Sequence, residues 1–341
     1  MIYPNVSTED RAIFREEFLG RLPGQIFDSH VHVFKKEIFP PEYRPPEKSC
    51  YAKFGGEHRL EFCRQMYRDL LPGIEVKCNC FATPDPQADR AAAAALAVDN
   101  RNVFGMALLG PDDSVAELSP LIEQNRLVGF KPYPNLAAAA AGKPIREAQL
   151  AEFFSPAQLE YIDAAGLLCV VHIPRPGRLA DPLNQRQMVE LCEKCPGGQF
   201  IFAHIGRAYY MQNIVGNLKD LAQCPNAWLD TAMVNHQGVL AYTLEHFPRQ
   251  RIIFGSDAPI AWLHGKSVEV NHQYAYLMGE DFRIGSAIYD SEQVVRFAPF
   301  FYEQLRAILQ LGLNRTERQN LLYQNAFELF QRTARRLYGE N

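Results

Sequence analysis

Gln25-Ile26-Phe27-Asp28-Ser29-His30-Val31-His32-Val33 is a short run rich in β-forming residues that ends in two imidazoles spaced two apart. Seven further runs of this kind, bounded by turn residues, follow at 75–82, 103–109, 127–133, 167–173, 199–204, 227–230 and 251–256. Most are separated by stretches that read as helix: 85–100, 114–125, 155–165, 185–195 and 211–224. Ser155-Pro156 is a cap followed by proline, and Ser114 with Glu117 fits a capping box. Strands that alternate with helices pair in parallel through right-handed crossovers. Eight units over about 230 residues predict an α/β protein closed into a distorted (β/α)8 TIM barrel rather than an open doubly wound sheet. No Gly-x-Gly-x-x-Gly follows the first run and no P-loop occurs, which counts against a nucleotide-binding fold.

Two connections exceed a plain crossover: 34–73 after the first strand, with Pro40, Pro41, Pro45 and Pro46 ahead of a helical 57–71, and 258–298 after the eighth. Both should rise over the C-terminal face of the barrel as lid or substrate loops. With no repeat or low-complexity linker, residues 1–341 are expected to form one domain. A last helix is expected on the outside of the barrel, opened by a Thr316/Gln319 capping box, with Leu322, Ala326, Leu329 and Phe330 as its apolar stripe.

The composition narrows the partners. The chain has 341 residues, 47% hydrophobic and 22% charged, with a net charge of −4 and a pI of about 6.2. These values exclude a collagen-like or disordered chain, and they give no basic footprint for nucleic acid or an anionic membrane. A small molecule is the expected partner, and the composition admits a monomer or a homo-oligomer. The apolar stretches at 91–98 and 166–171 fall far short of the roughly 20 residues of a membrane span. Glu9, Asp10, Arg11, Arg15, Glu16 and Glu17 interrupt any secretory signal, so a cytoplasmic protein with free thiols is expected. The eight cysteines fit this: Cys192-x-x-Cys195 has no second pair to complete a thiolate site, and Cys78 and Cys80 sit as small residues in an apolar run.

Chemistry gathers at strand ends. His30 and His32, two apart in a strand, project to the same side and can share a metal. His172 ends the fifth run, His204 the sixth and Asp257 closes the eighth. A polar group buried there without a partner costs several kcal/mol, so the coincidences point to one convergent site.

In this order, His30-x-His32, Lys131 on the fourth run, His172, His204 and Asp257 resemble the amidohydrolase superfamily. The phrases Ile-Phe-Asp-Ser-His-Val-His, Phe-Ala-His-Ile-Gly-Arg, Ile-Ile-Phe-Gly-Ser-Asp-Ala-Pro and Leu-Leu-Tyr-Gln-Asn-Ala-Phe-Glu-Leu-Phe resemble its amidohydrolase-2 branch. The resemblance implies that His30, His32, His172 and Asp257 bind one divalent ion, zinc foremost. It implies hydrolysis of a C–O or C–N bond in a lactone, ester or amide, with Asp257 handling the water's proton and His204 orienting water or oxyanion. Lys131 then either contacts substrate, supports the site, or is carboxylated and bridges a second metal, in which case His204 joins as a ligand. Arg175 and Arg207, each three residues past a site histidine, are candidates for binding a carboxylate-bearing substrate. Tyr133, His236, Trp262 and His264 are further rim candidates, whereas His58, His246 and His272 read as packed-core or surface residues. Other members of the branch are non-oxidative decarboxylases of aromatic or unsaturated acids, which is the alternative activity.

Overall fold

A computed structural model describes residues 6–97, 103–280, 284–288, 291–292 and 295–339. Eight strands lie in chain order in one parallel sheet: β1 Gln25–Val33, β2 Glu75–Ala82, β3 Val103–Leu109, β4 Gly129–Pro132, β5 Leu168–Val171, β6 Gln199–Phe202, β7 Ala227–Asp230 and β8 Ile252–Ile253. The ring closes through the extended chain after β8. There Ser29 N donates to Phe254 O (3.0 Å), Asp257 N to His30 O (2.9 Å) and His32 N to Ala258 O (2.8 Å). β4, β5 and β7 are buried at every residue, as parallel strands covered on both faces must be. The β4–β5 contact needs glycine: a Cβ on Gly129 would sit 1.9 Å from Leu168 O.

The crossover helices Val115–Gln124 and Pro156–Ala165 begin at the expected serines, each with a capping box. The expected 85–100 helix is Arg90–Leu96, and its far end lies outside the described residues. The expected 211–224 helix is two pieces, Met211–Ile214 and Lys219–Gln223, because Gly216 turns the chain with φ +79°.

The last helix departs most from expectation. Its N-terminal capping box is Asn314 with Glu317, not Thr316 with Gln319: Asn314 Oδ1 accepts from Glu317 N and Glu317 Oε2 from Asn314 N, both at 3.0 Å. After a wide turn at Asn320–Gln324, the helix Asn325–Tyr338 lies across the N-terminal mouth of the barrel rather than on its flank. Phe330 packs on Phe27 and Phe104 with ring centroids 5.0 and 5.6 Å away, and Tyr323, Leu329 and Phe330 join the barrel's interior cluster. The helix therefore covers the bottom of the barrel, and the site opens at the strand C-termini.

Both insertions lie over that open end. The first contains the helix Leu60–Leu70, close to expectation. The second is not a plain loop but an arm of β-structure: β9 Gly265–Val270 pairs antiparallel with β10 Gln273–Met278, and β11 Ser286–Ala287 adds to β10. All eight cysteines are free. No described helix is long and apolar enough to cross a membrane.

Candidate metal centre

A cavity of ≈ 460 Å³ at the C-terminal ends of the strands is lined by His30, His32, His172, His204 and Asp257. Its upper wall is phenolic: Tyr43 and Tyr51 from the first insertion, Tyr133 after β4, Tyr209 after β6, and Tyr274 and Tyr276 from the arm. Among the described residues, His30, His32 and Asp257 form the one acid–imidazole group whose ligand atoms all lie within 4.8 Å of one another.

The protonation of that group follows from its partners. His30 Nδ1 stands 2.9 Å from Asp230 Oδ2, and His32 Nδ1 is 3.4 Å from Ala82 O. Burial holds both imidazoles below their usual pKa, His30 further lowered by the Lys131 charge. A neutral ring with its proton on Nδ1 presents a lone pair at Nε2. The two Nε2 atoms lie 3.4 and 3.3 Å from Asp257 Oδ1. Burial pushes the Asp257 carboxyl up, but the His32 contact and the surrounding imidazoles outweigh it and hold it below the usual range by donating a shared proton, which a cation would replace. Three electron-rich atoms thus converge on one point, and a divalent cation is what such a donor set fits.

Sequence reasoning does not single out Asp230, yet this residue organises the centre. Its Oδ1 accepts from His204 N (2.7 Å) and Ala232 N (3.1 Å), while Oδ2 takes the His30 proton. A signal for it exists: Ala-Trp-Leu-Asp is an apolar run ending in an acid, like those ending in His172 and Asp257. Asp28 is a second brace that the sequence does not announce. It accepts from Tyr67 Oη (2.7 Å), Ser256 N (2.8 Å) and His30 N (3.2 Å), and burial raises its pKa to about 6 against those bonds.

His204 lies two residues past the end of β6, in left-handed backbone, with Nδ1 2.8 Å from Ala232 O. His172 borders the same cavity with an unpartnered, buried Nδ1, its ring 5.3 Å from that of His204, but it stands outside the three-residue group. Lys131 is fully buried below the cavity, its Nζ without a hydrogen bond and 4.5 Å from the centroid of the Phe81 ring. Burial lowers its pKa to about 8 against the pull of Asp230 and Asp257.

The rim candidates divide. Tyr133 lines the cavity, its ring 4.6 Å from that of His172. The structure does not bring Arg175, Arg207 or His236 to it. Arg175 Nε is held by both oxygens of Asp181 at 3.0 and 2.9 Å. Arg207 Nη1 donates to the carbonyls of Ile173, Pro174 and Arg175. His236 Nε2 lies 3.0 Å from Glu269 Oε2 on the arm. Trp262 is core, its Nε1 donating to His58 Nε2 at 3.1 Å, and His264 pairs with Asp10.

No protein of curated function matches this sequence. Among solved structures, the chain is similar to a putative 2-pyrone-4,6-dicarboxylic acid hydrolase from Pseudomonas putida (18% identity, 91% of this chain and 98% of that one, TM-score 0.56). It is also similar to 4-oxalomesaconate hydratase from Rhodopseudomonas palustris (16%, 90% and 96%, 0.55). A third is 2,6-dihydroxybenzoate decarboxylase complexed with 2,6-dihydroxybenzoate (13%, 91% and 99%, 0.51). At these identities the likeness shows the barrel alone. The sequence profile described as amidohydrolase matches residues 27–339, from β1 to the helix that seals the barrel. The chain is therefore an enzyme of the amidohydrolase family.

Proposed function

We propose that the protein is a zinc-dependent hydrolase that cleaves a C–O or C–N bond of a small carboxylate-bearing lactone, ester or amide. The observation that carries this reading is the convergence of His30 Nε2, His32 Nε2 and Asp257 Oδ1, within 4.8 Å of one another. His30, His32 and Asp257 would hold the ion, with His172 as the further ligand across the cavity. A divalent ion at that point supplies Lewis acidity and brings the pKa of a water towards neutrality.

The chain's own residues supply the rest. Asp257, ionised at any physiological pH, is too weak a base for bulk water but suits a water made acidic, and it would pass the proton to the leaving group. His204, with Nδ1 committed to Ala232 O, offers Nε2 to orient the water or, when protonated, to stabilise the oxyanion. Asp230 keeps the His30 proton away from the metal. Lys131, with no hydrogen bond of its own, would contact a substrate carboxylate or, carboxylated, bridge a second ion. Tyr133 would bound the bound substrate.

Hydrolysis of a panel of lactones and esters by zinc-loaded protein, lost on chelation and restored by zinc, tests the reading. A purified protein that takes up no divalent metal refutes it. The phenolic wall also suits an aromatic ring, which favours the second reading, decarboxylation of an aromatic acid at the same centre. Release of carbon dioxide without uptake of water would identify that reaction.

A further inference from the structure

The two arginines expected to receive a carboxylate are held by Asp181 and by backbone carbonyls, and among the described residues neither they nor another arginine lines the cavity. A second compartment does offer cations. It has a volume of ≈ 420 Å³ and shares Tyr43 and Tyr51 with the metal-site cavity, so those two side chains border both spaces. Phe39 stacks on Tyr43 at 4.2 Å and 10°, and Phe34 meets Tyr51 edge-on at 4.6 Å, giving flat apolar sides. Lys36 and Arg44 also line it.

Both side chains reach solvent, but each is held along part of its length. The stem of Lys36 lies over Gly56, where a Cβ would come within 2.9 Å of Cγ, and Gly56 has φ +79°. Only glycine leaves room for that stem in that backbone. Arg44 Nη1 is fixed by Pro41 O at 2.8 Å and Tyr43 O at 2.7 Å. Among the described residues neither cation has a carboxylate partner. Their acidic neighbours in sequence, Glu37, Glu42 and Glu47, are exposed as the two cations are but do not line the compartment.

We infer that this compartment is a subsite for the distal end of the substrate, and that it takes an apolar, ring-bearing group carrying a carboxylate. The flat walls receive the ring, and Lys36 with Arg44 receive the charge. This rests on the hydrolase reading and extends it by saying where the substrate's carboxylate sits while the scissile bond lies over the metal ligands, with the chain of the substrate passing beside Tyr43 and Tyr51, which border both spaces.

Calorimetric titration of benzoate and its neutral isostere benzamide into the full-length protein tests the subsite by binding alone. The same titrations on Asp257→Asn keep the result independent of any reaction, so an error in the assigned chemistry and an error in the subsite give different outcomes. Benzoate should bind at least about tenfold more weakly to the Lys36→Met/Arg44→Gln double variant, the scale of losing charge-assisted bonds, with benzamide unchanged. Ala52→Phe, which fills the compartment, should abolish binding of both. Equal benzoate affinity in wild type and double variant overturns the proposal. So does benzoate binding that survives Ala52→Phe, or that vanishes on chelation of the metal, which would place the carboxylate on the metal ligands.

Discussion

Replacing Asp230 by asparagine tests the electrostatic logic of the centre with little change of shape. The carboxamide of the Asp230→Asn variant can keep its oxygen on His204 N and Ala232 N, where Asp230 Oδ1 now accepts at 2.7 and 3.1 Å. Its amide nitrogen then faces His30 Nδ1, now 2.9 Å from Oδ2. Two N–H groups cannot share that contact, so His30 moves its proton to Nε2 and loses the lone pair aimed at the metal. Loss of such a hydrogen-bonded support costs about 10–100-fold in metal affinity, or roughly 1.4–2.7 kcal/mol. Competition against a chromophoric zinc chelator measures the dissociation constant, and far-ultraviolet dichroism confirms that the barrel is intact. Asp230→Ala is the wrong probe, since it also strands two buried amides at about 1–3 kcal/mol each. An Asp230→Asn variant that binds zinc within about twofold of wild type would refute the assignment of the His30 proton to Nδ1, and with it the main argument for a cation.

Four other substitutions probe separate parts of the molecule. Asp257→Asn should lower turnover by about 10² to 10⁴ in steady-state assays at saturating zinc. In the metal-free protein, Lys131 titrates near 8 when folded and 10.5 when unfolded. The unfolded chain then binds more protons between those values, so this residue makes stability rise with pH across the window. Its penalty, on the order of 3 kcal/mol, is fully present below pH 8; Lys131→Met should therefore be the more stable protein at pH 7 in urea titrations, with the gap shrinking by pH 10, and a pH-independent gap would contradict this. Phe330→Ala should cost about 3–5 kcal/mol in denaturant unfolding, because the ring is wholly buried in the seal of the barrel. Arg178 lies over the Tyr274 ring at 4.4 Å and the Tyr209 ring at 5.3 Å, joining the arm to the barrel; Arg178→Ala should raise KM severalfold and leave zinc affinity unchanged.

The strand count was legible because parallel strands buried on both faces leave continuous apolar runs, and each of the eight runs became a strand. The clustering of His30, His32 and Asp257 is legible because an apolar run has no packing reason to end in a histidine or an acid. Asp230 obeys the same rule but stays hidden, since a single acid after Trp-Leu has no partner visible in sequence. Arg175 and Arg207 were misplaced for a different reason. Spacing gives distance along the chain, not direction, and each guanidinium folds back onto an acceptor supplied by its own turn. The arm's pairing depends on a register between β9 and β10 that the local pattern of 258–298 did not announce. The position of the last helix was equally hidden: an amphipathic stripe specifies that one face is buried, not which surface buries it.

The turn after β6 shows how the centre accommodates backbone strain. His204, Ile205, Gly206 and Arg207 have φ of 58°, 53°, 60° and 61°, a full left-handed turn in which only one residue is glycine. Each non-glycine residue there costs roughly 1–2 kcal/mol. The turn persists because its polar groups are anchored from outside: His204 N on Asp230, His204 Nδ1 on Ala232 O, and Arg207 on three carbonyls of the chain after β5. Arg207 is thus consumed in holding His204 where the cavity needs it, and the same Asp230 carboxylate sets both the amide of the strained residue and the proton of His30. Strain at His204 and donor geometry at His30 are therefore one coupled arrangement. That coupling keeps Arg207 in the turn and away from the residues that line the cavity.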